Sequence, residues 1–150
     1  MTRAERAGEL FREGYNCAQA VVLAFADLIG LEMQQALRIS APFGGGIARQ
    51  REVCGAASGM CIVAGALWGY DDPVDQAAKR AHYARIQELC ERFRAANGTI
   101  ICGERLAIRD PDFKTPNPTP RTAEFYRTRP CEAMVVSAAE ILEEYLEPNT

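Results

Sequence analysis

The residues of this chain best suited to chemistry are its six cysteines: Cys17, Cys54, Cys61, Cys90, Cys102 and Cys131. A thiolate is both a nucleophile and a metal ligand, so the surroundings of each sulfur decide what it can do. Four of the six fall at expected helix starts. Cys17 follows Asn16 in "YNCAQAV", Cys54 opens "CGAASGM", Cys102 lies just past Thr99, and Cys131 follows Pro130. A helix N-terminus carries unpaired N–H donors and a partial positive charge, which favours thiolate over thiol. Arg49 and Arg51 precede Cys54, and Arg129 precedes Cys131. They would add to that field, although a solvated surface is the plainer reading of all three. Cys61 and Cys90 fall mid-helix among apolar neighbours, where cysteine reads as a small hydrophobe.

The spacing removes several chemistries. There is no C-x-x-C, so neither the thioredoxin-type motif nor a zinc knuckle is present, and no C-x-x-C-H marks covalent haem. On one continuous helix Cys54 and Cys61 would be about 10 Å apart along the axis, too far for a disulfide. Three readings stay open. In the first, Cys17, Cys54, Cys102 and Cys131 converge as catalytic residues and cycle between dithiol and disulfide; four cysteines allow three connectivities. In the second, the same four thiolates hold a [2Fe–2S] cluster or a structural Zn²⁺. The backbone N–H groups of Gly44, Gly45 and Gly46 in "FGGG" would then approach the cofactor. A tight helix connection is the plainer role for that loop, and no strand precedes it to make a nucleotide site. In the third, the chain is a helical interaction protein whose cysteines only pack. His82, the sole histidine, shares a helix face with Ile86 and Phe93, which reads as core or groove. Thiol exchange needs no histidine.

The elements that must position these groups all read as helices. Thr2 with Glu5, and Asn16 with Gln19, are capping boxes for helices over about 3–13 and 17–30. A short amphipathic segment covers 32–40. The glycine-rich loop "APFGGGIARQRE" leads into a central helix over 54–68, stopped by Gly69. Asp72 as cap and Pro73 at the first helical position predict a helix from 73 to Asn97, closed by Gly98. One or two turns follow at 99–106. "RDPDFKTPNPTPRT" holds four prolines and reads as an extended loop within 107–128. A last helix covers 130–146, with Ala133, Met134, Ala138, Ile141, Leu142 and Tyr145 inward. The expectation is an all-α, single-domain bundle (1–150) of five to seven helices around a central Gly/Ala-rich one. Gly55 and Gly59, four apart on that helix, predict close approach of the element carrying Cys17 or of the 44–46 loop.

The chain has 150 residues, 17 Lys and Arg against 20 Asp and Glu, and a net charge of −3. Phosphate binding wants a basic face, so nucleic acid is not the expected partner. Residues 53–70 are uncharged, but the glycines in that run favour a buried helix over a membrane span. "MTRAERAGELFREG" has no apolar leader segment, so a cytoplasmic setting with reduced thiols is expected. The electron donor, acceptor and oligomeric state are open, the 73–97 helix being the candidate for a homodimer contact.

The blocks "GYNCAQAV" (14–21), "GGG" (44–46), "CGAASG" (54–59), Cys102 in "CGE" and Cys131 before an alanine-rich helix resemble the C_GCAxxG_C_C family of putative redox-active proteins. Its signature is four spaced cysteines with C-G-A-x-x-G around the second, and the likeness spans nearly the whole chain. Cys61 and Cys90 lie outside it. The resemblance implies redox chemistry at Cys17, Cys54, Cys102 and Cys131.

Overall fold

Local capping starts most of the helices. In the computed structural model, which describes residues 1–106 and 113–147, α1 (Arg3–Arg12) and α2 (Cys17–Ala24) open on complete capping boxes. The Thr2 and Asn16 side chains accept from the backbone N–H groups of Glu5 and Gln19, whose side chains bond back. α3 (Met33–Ser40) runs into a 3-10 turn over Ala41–Phe43. α4 (Gly55–Trp68), α5 (Gln76–Asn97), α6 (Cys102–Leu106), α7 (Ala123–Thr128) and α8 (Cys131–Leu146) complete the order. The fold is all-α, with eight helices among the described residues against the five to seven expected; α6 and α7 are barely more than one turn. Residues 107–112, part of the expected proline-rich loop, lie outside the described residues.

Two boundaries differ from expectation for local reasons. α2 stops at Ala24 rather than near Gly30, because Phe25, Ala26 and Leu28 bond to carbonyls three residues back and wind the chain into tighter turns. α5 starts at Gln76 under an Asp75 cap, not at Pro73. The Asp72–Asp75 segment forms a turn instead, closed by the Asp75 N–H on the Asp72 carbonyl at 3.2 Å. Proline at the second position of a turn satisfies the same φ as the first position of a helix, so the sequence signal is ambiguous. On α8, Ala133 is exposed, and the buried stripe is Met134, Val135, Ala138, Ala139, Ile141 and Leu142.

α4 packs on α2, α8 and α5, and α1 packs on α8 and α2. Leu10 and Phe11 of α1, Val21 of α2, Met60 of α4, Phe93 of α5 and Leu142 of α8 meet in one buried cluster. The two α4 glycines make the α2 contact. A Cβ on Gly55 would stand 2.8 Å from the Phe43 carbonyl oxygen and 3.1 Å from Cys17 Cβ, and one on Gly59 would stand 3.0 Å from Val21 Cβ. Both expected neighbours of the glycine face, the Cys17 helix and the segment leading into the 44–46 loop, therefore approach it. No described helix is long and apolar enough to cross a membrane.

The connection into α4 is unusual. Gly45, Gly46, Ile47, Ala48 and Arg49 all have positive φ, as does Arg51 at 64°. A β-branched residue such as Ile47 strongly disfavours that region, and an L-residue held there costs on the order of 1–2 kcal/mol. The turn is held by bonds from Arg51 N–H to the Gly45 carbonyl and from Glu52 N–H to the Gly46 carbonyl. It then hands the chain to a minimal antiparallel pairing with the start of α6. Cys54 N–H donates to the Ile100 carbonyl (2.6 Å), Cys102 N–H to the Glu52 carbonyl (2.7 Å), and Gly103 N–H to the Arg51 carbonyl (3.0 Å). No strand alternation announces this two-stranded link, because one bridge needs only a few residues.

Candidate functional site

Each of the four cysteines sits at a helix start, but only Cys17 follows a side-chain cap, that of Asn16. Cys17, Cys102 and Cys131 are the first residues of α2, α6 and α8, and Cys54 is the N-cap of α4. Tertiary packing then brings the four to one pocket of about 340 Å³. Its wall also takes Gly44 and Gly45 of the glycine loop, while Gly46 is not part of it. A Cβ at Gly44 would collide with the Asn16 side chain, 2.5 Å from Nδ2, so this glycine lets the loop close onto the start of α2. All six cysteines are free thiols.

The four thiols are not equivalent. Cys17 and Cys131 interact side chain to side chain, and the two thiols shift in opposite directions. That interaction lowers Cys131 to about 7, helped by Arg129, Arg121 and Arg51 and opposed by burial. Cys17 is pushed up, by the same interaction and then by burial. Cys54 is pushed up to about 12 by burial, although the N–H groups of Ala56 and Ala57 at the helix start pull the other way. Burial likewise raises Cys102, against its hydrogen bond from Arg51 Nη1 at 3.7 Å. The expectation that a helix start favours thiolate at all four is thus corrected. Loss of hydration outweighs the helix field at Cys54 and Cys102, and only Cys131 is poised as a thiolate near neutrality.

The arginines are not solvated surface residues. Arg51 is only 7% exposed. Its Nε donates to the Phe113 carbonyl at 2.8 Å, and its guanidinium lies 5.1 Å from the Phe113 ring centre. Arg121, which the sequence does not single out for the site, also lines the pocket. It donates to the Phe11 and Tyr15 carbonyls at 2.9 and 3.1 Å and lies 4.2 Å from the centre of the Phe11 ring. Arg49 is fixed by the Thr115 carbonyl (2.7 Å) and Thr119 Oγ1 (2.6 Å).

Cys61 and Cys90 are placed differently from expectation. They face each other from α4 and α5, both half-buried, and their side chains interact. That interaction and then burial raise Cys61; the same interaction lowers Cys90 to about 7. Nothing in either helix's own sequence signals a partner on the other. His82 packs edge-on against Tyr70, with ring centres 6.0 Å apart, and does not line the thiol pocket.

A Cys₄ metal or cluster site needs its sulfurs gathered about one centre, with Zn–S near 2.3 Å for zinc. Among the described residues no three His, Cys, Asp or Glu side chains are grouped to hold a metal ion. As placed, the four thiols line a common pocket without forming a metal cage. Comparison with curated proteins and with solved structures returned no significant match. The family model described as "Putative redox-active protein (C_GCAxxG_C_C)" matches residues 15–145, and the chain belongs to that family.

Proposed function

We propose that this protein is a thiol–disulfide redox protein in which Cys131 attacks and Cys17 resolves. The observation that carries this reading is the Cys17–Cys131 thiol pair: two interacting sulfurs on the wall of one pocket, with Arg51, Arg121 and Arg129 on the same wall favouring the charged form of Cys131. Exchange proceeds by attack of a thiolate on a disulfide sulfur. Cys131 Sγ bonds to one sulfur of the oxidant R–S–S–R, and one RS⁻ leaves with the bonding electron pair. Cys17 loses its proton and attacks Cys131 Sγ, releasing the second RS⁻. The protein gives up two electrons and two protons, and the oxidant becomes two thiols. An external thiol reverses both steps. Cys102 and Cys54, held protonated by burial, flank this pair; Cys102 holds the Arg51 guanidinium beside it.

The test is anaerobic purification followed by titration against a small disulfide, with thiol counting and peptide mapping. Loss of two thiols, mapped to Cys17 and Cys131 and restored by reductant, is the expected result. If neither thiol is oxidised at any potential accessible to small thiols, the reading fails. Stoichiometric iron or zinc in that preparation, with all four pocket cysteines blocked to alkylation, would replace it by the metal-binding alternative.

A further inference from the structure

Resting on that dithiol reading, we propose that the pocket's substrate is a small disulfide bearing carboxylates, bound by its negative arms to Arg51, Arg121 and Arg129. The pocket wall carries five arginines, Arg49, Arg51, Arg105, Arg121 and Arg129, and among its described residues no Asp or Glu. The composition is local, because acidic residues outnumber basic ones over the whole chain, 20 to 17. Elsewhere five arginines meet carboxylates, among them Arg3 with Asp27, Arg12 with Glu132 and Arg92 with Glu88. Among the described residues Arg51, Arg105, Arg121 and Arg129 form no such ion pair.

Burying a cation is expensive unless an anion or several good acceptors replace its water. Arg51 is buried against a carbonyl and a thiol, and Arg121 is half-buried against two carbonyls and the Tyr126 hydroxyl. All of these partners are neutral. A single thiolate at Cys131 therefore leaves the pocket with excess positive charge. The guanidinium plane matches a carboxylate edge to edge, and the stacking of Arg121 on Phe11 fixes the orientation of its fork. A volume of about 340 Å³ lies within the range of small-molecule sites and admits no folded partner. In the balanced exchange given above, R is then an aliphatic arm ending in a carboxylate, and the departing RS⁻ is a dianion that the same arginines stabilise as it forms.

The charge dependence can be read with three disulfides of similar size: 3,3′-dithiodipropionate (anionic), 2-hydroxyethyl disulfide (neutral) and cystamine (cationic). Oxidation rates of the intact protein are measured for each and divided by the rate with a small free thiol. The expected order is anionic, neutral, cationic, with the dianion ahead of the neutral compound by about tenfold or more at low salt. The preference should shrink as ionic strength rises. It should also fall in Arg129→Gln, whose side chain is half-buried, and in Arg121→Gln where that variant folds. Equal corrected rates for the three in the wild type, or a lead for cystamine, overturn the inference while leaving the dithiol reading intact. Retention of the full preference in Arg129→Gln likewise removes that residue from the binding set. Failure of all three to oxidise the Cys17–Cys131 pair strikes the dithiol reading itself.

Discussion

The molecule holds two thiol pairs, and they differ in what surrounds them. In each, the two side chains interact and one thiol is lowered to about 7. Cys131 stands at a helix start and is pulled down further by Arg129, Arg121 and Arg51. Cys90 stands in the middle of α5, where Arg94 lowers it and Glu91 raises it, and those two side chains are ion-paired to each other. One pair thus lies in an arginine-lined pocket with room for a ligand, while the other lies between two helices in a field that nearly cancels. A thiol–thiol contact alone makes a reactive sulfur; uncompensated positive charge and a cavity make it selective.

The comparison breaks most directly by removing the two lowered thiols, Cys131 and Cys90. Cys131→Ser should abolish reversible disulfide formation in the pocket, whereas Cys90→Ser should leave the Cys17–Cys131 exchange rate within about twofold; peptide mapping of oxidised protein checks both. If Cys90→Ser silences the pocket, the two pairs work as one relay and the contrast drawn above is wrong.

A second test attacks the packing that brings Cys17 to the pocket. Gly55→Leu places side-chain atoms where the Phe43 carbonyl and Cys17 Cβ already stand. Overpacking of this kind costs about 1–3 kcal/mol, and the backbone contact points to the upper end, about 3 kcal/mol, measurable by urea unfolding. Displacing Cys17 should also raise the Cys131 ionisation midpoint, while Cys90 stays unchanged. A Gly55→Leu protein with wild-type Cys131 reactivity would detach the glycine face from the site.

The pH dependence sharpens the contrast. The thiolate is the reactive form, so alkylation rises with pH through each thiol's midpoint and then levels. Iodoacetamide at pH 7 should modify two sites first, Cys131 and Cys90, each with a midpoint near 7, ahead of Cys17, Cys54, Cys61 and Cys102, whose midpoints are raised. Cys17→Ala removes the thiol–thiol interaction and should move the Cys131 midpoint up, as Cys61→Ala should for Cys90. Arg129→Gln should raise Cys131, and Cys102 with it, while leaving Cys90 unchanged. Mass spectrometry of the intact protein across pH 5–10 would show a single fast site if either pairing is wrong. The smallest effect expected is on stability: Cys61→Ser, at a half-buried position, should change it by about 1 kcal/mol or less.

The local parts of this architecture are legible in the residues themselves. Thr2 with Glu5 and Asn16 with Gln19 close their capping boxes, Gly98 takes its positive φ of 89° at the end of α5, and the four family cysteines stand at helix starts. The signal failed where one residue type serves two local structures, as with Pro73, or where partners come from distant segments. Cys61 and Cys90 look like core residues because each helix is read alone. Arg51 looks like a surface residue because it sits in a loop rich in glycine and charge.

By itself the sequence determined the all-α class, most of the helix starts, the family and the glycine face of α4, since capping, periodicity and backbone permissiveness act over a few residues; it missed the start of α5 and the whole of α7, which lies in the stretch read as an extended loop. Only the tertiary structure decided which thiol meets which. It paired Cys17 with Cys131 across more than a hundred residues of chain, joined Cys54 to the start of α6 through a single bridge, and buried Arg51 beside Cys102. The reason is physical: a thiol's ionisation depends on lost hydration and on charges a few ångströms away, and neither is fixed until distant segments pack together.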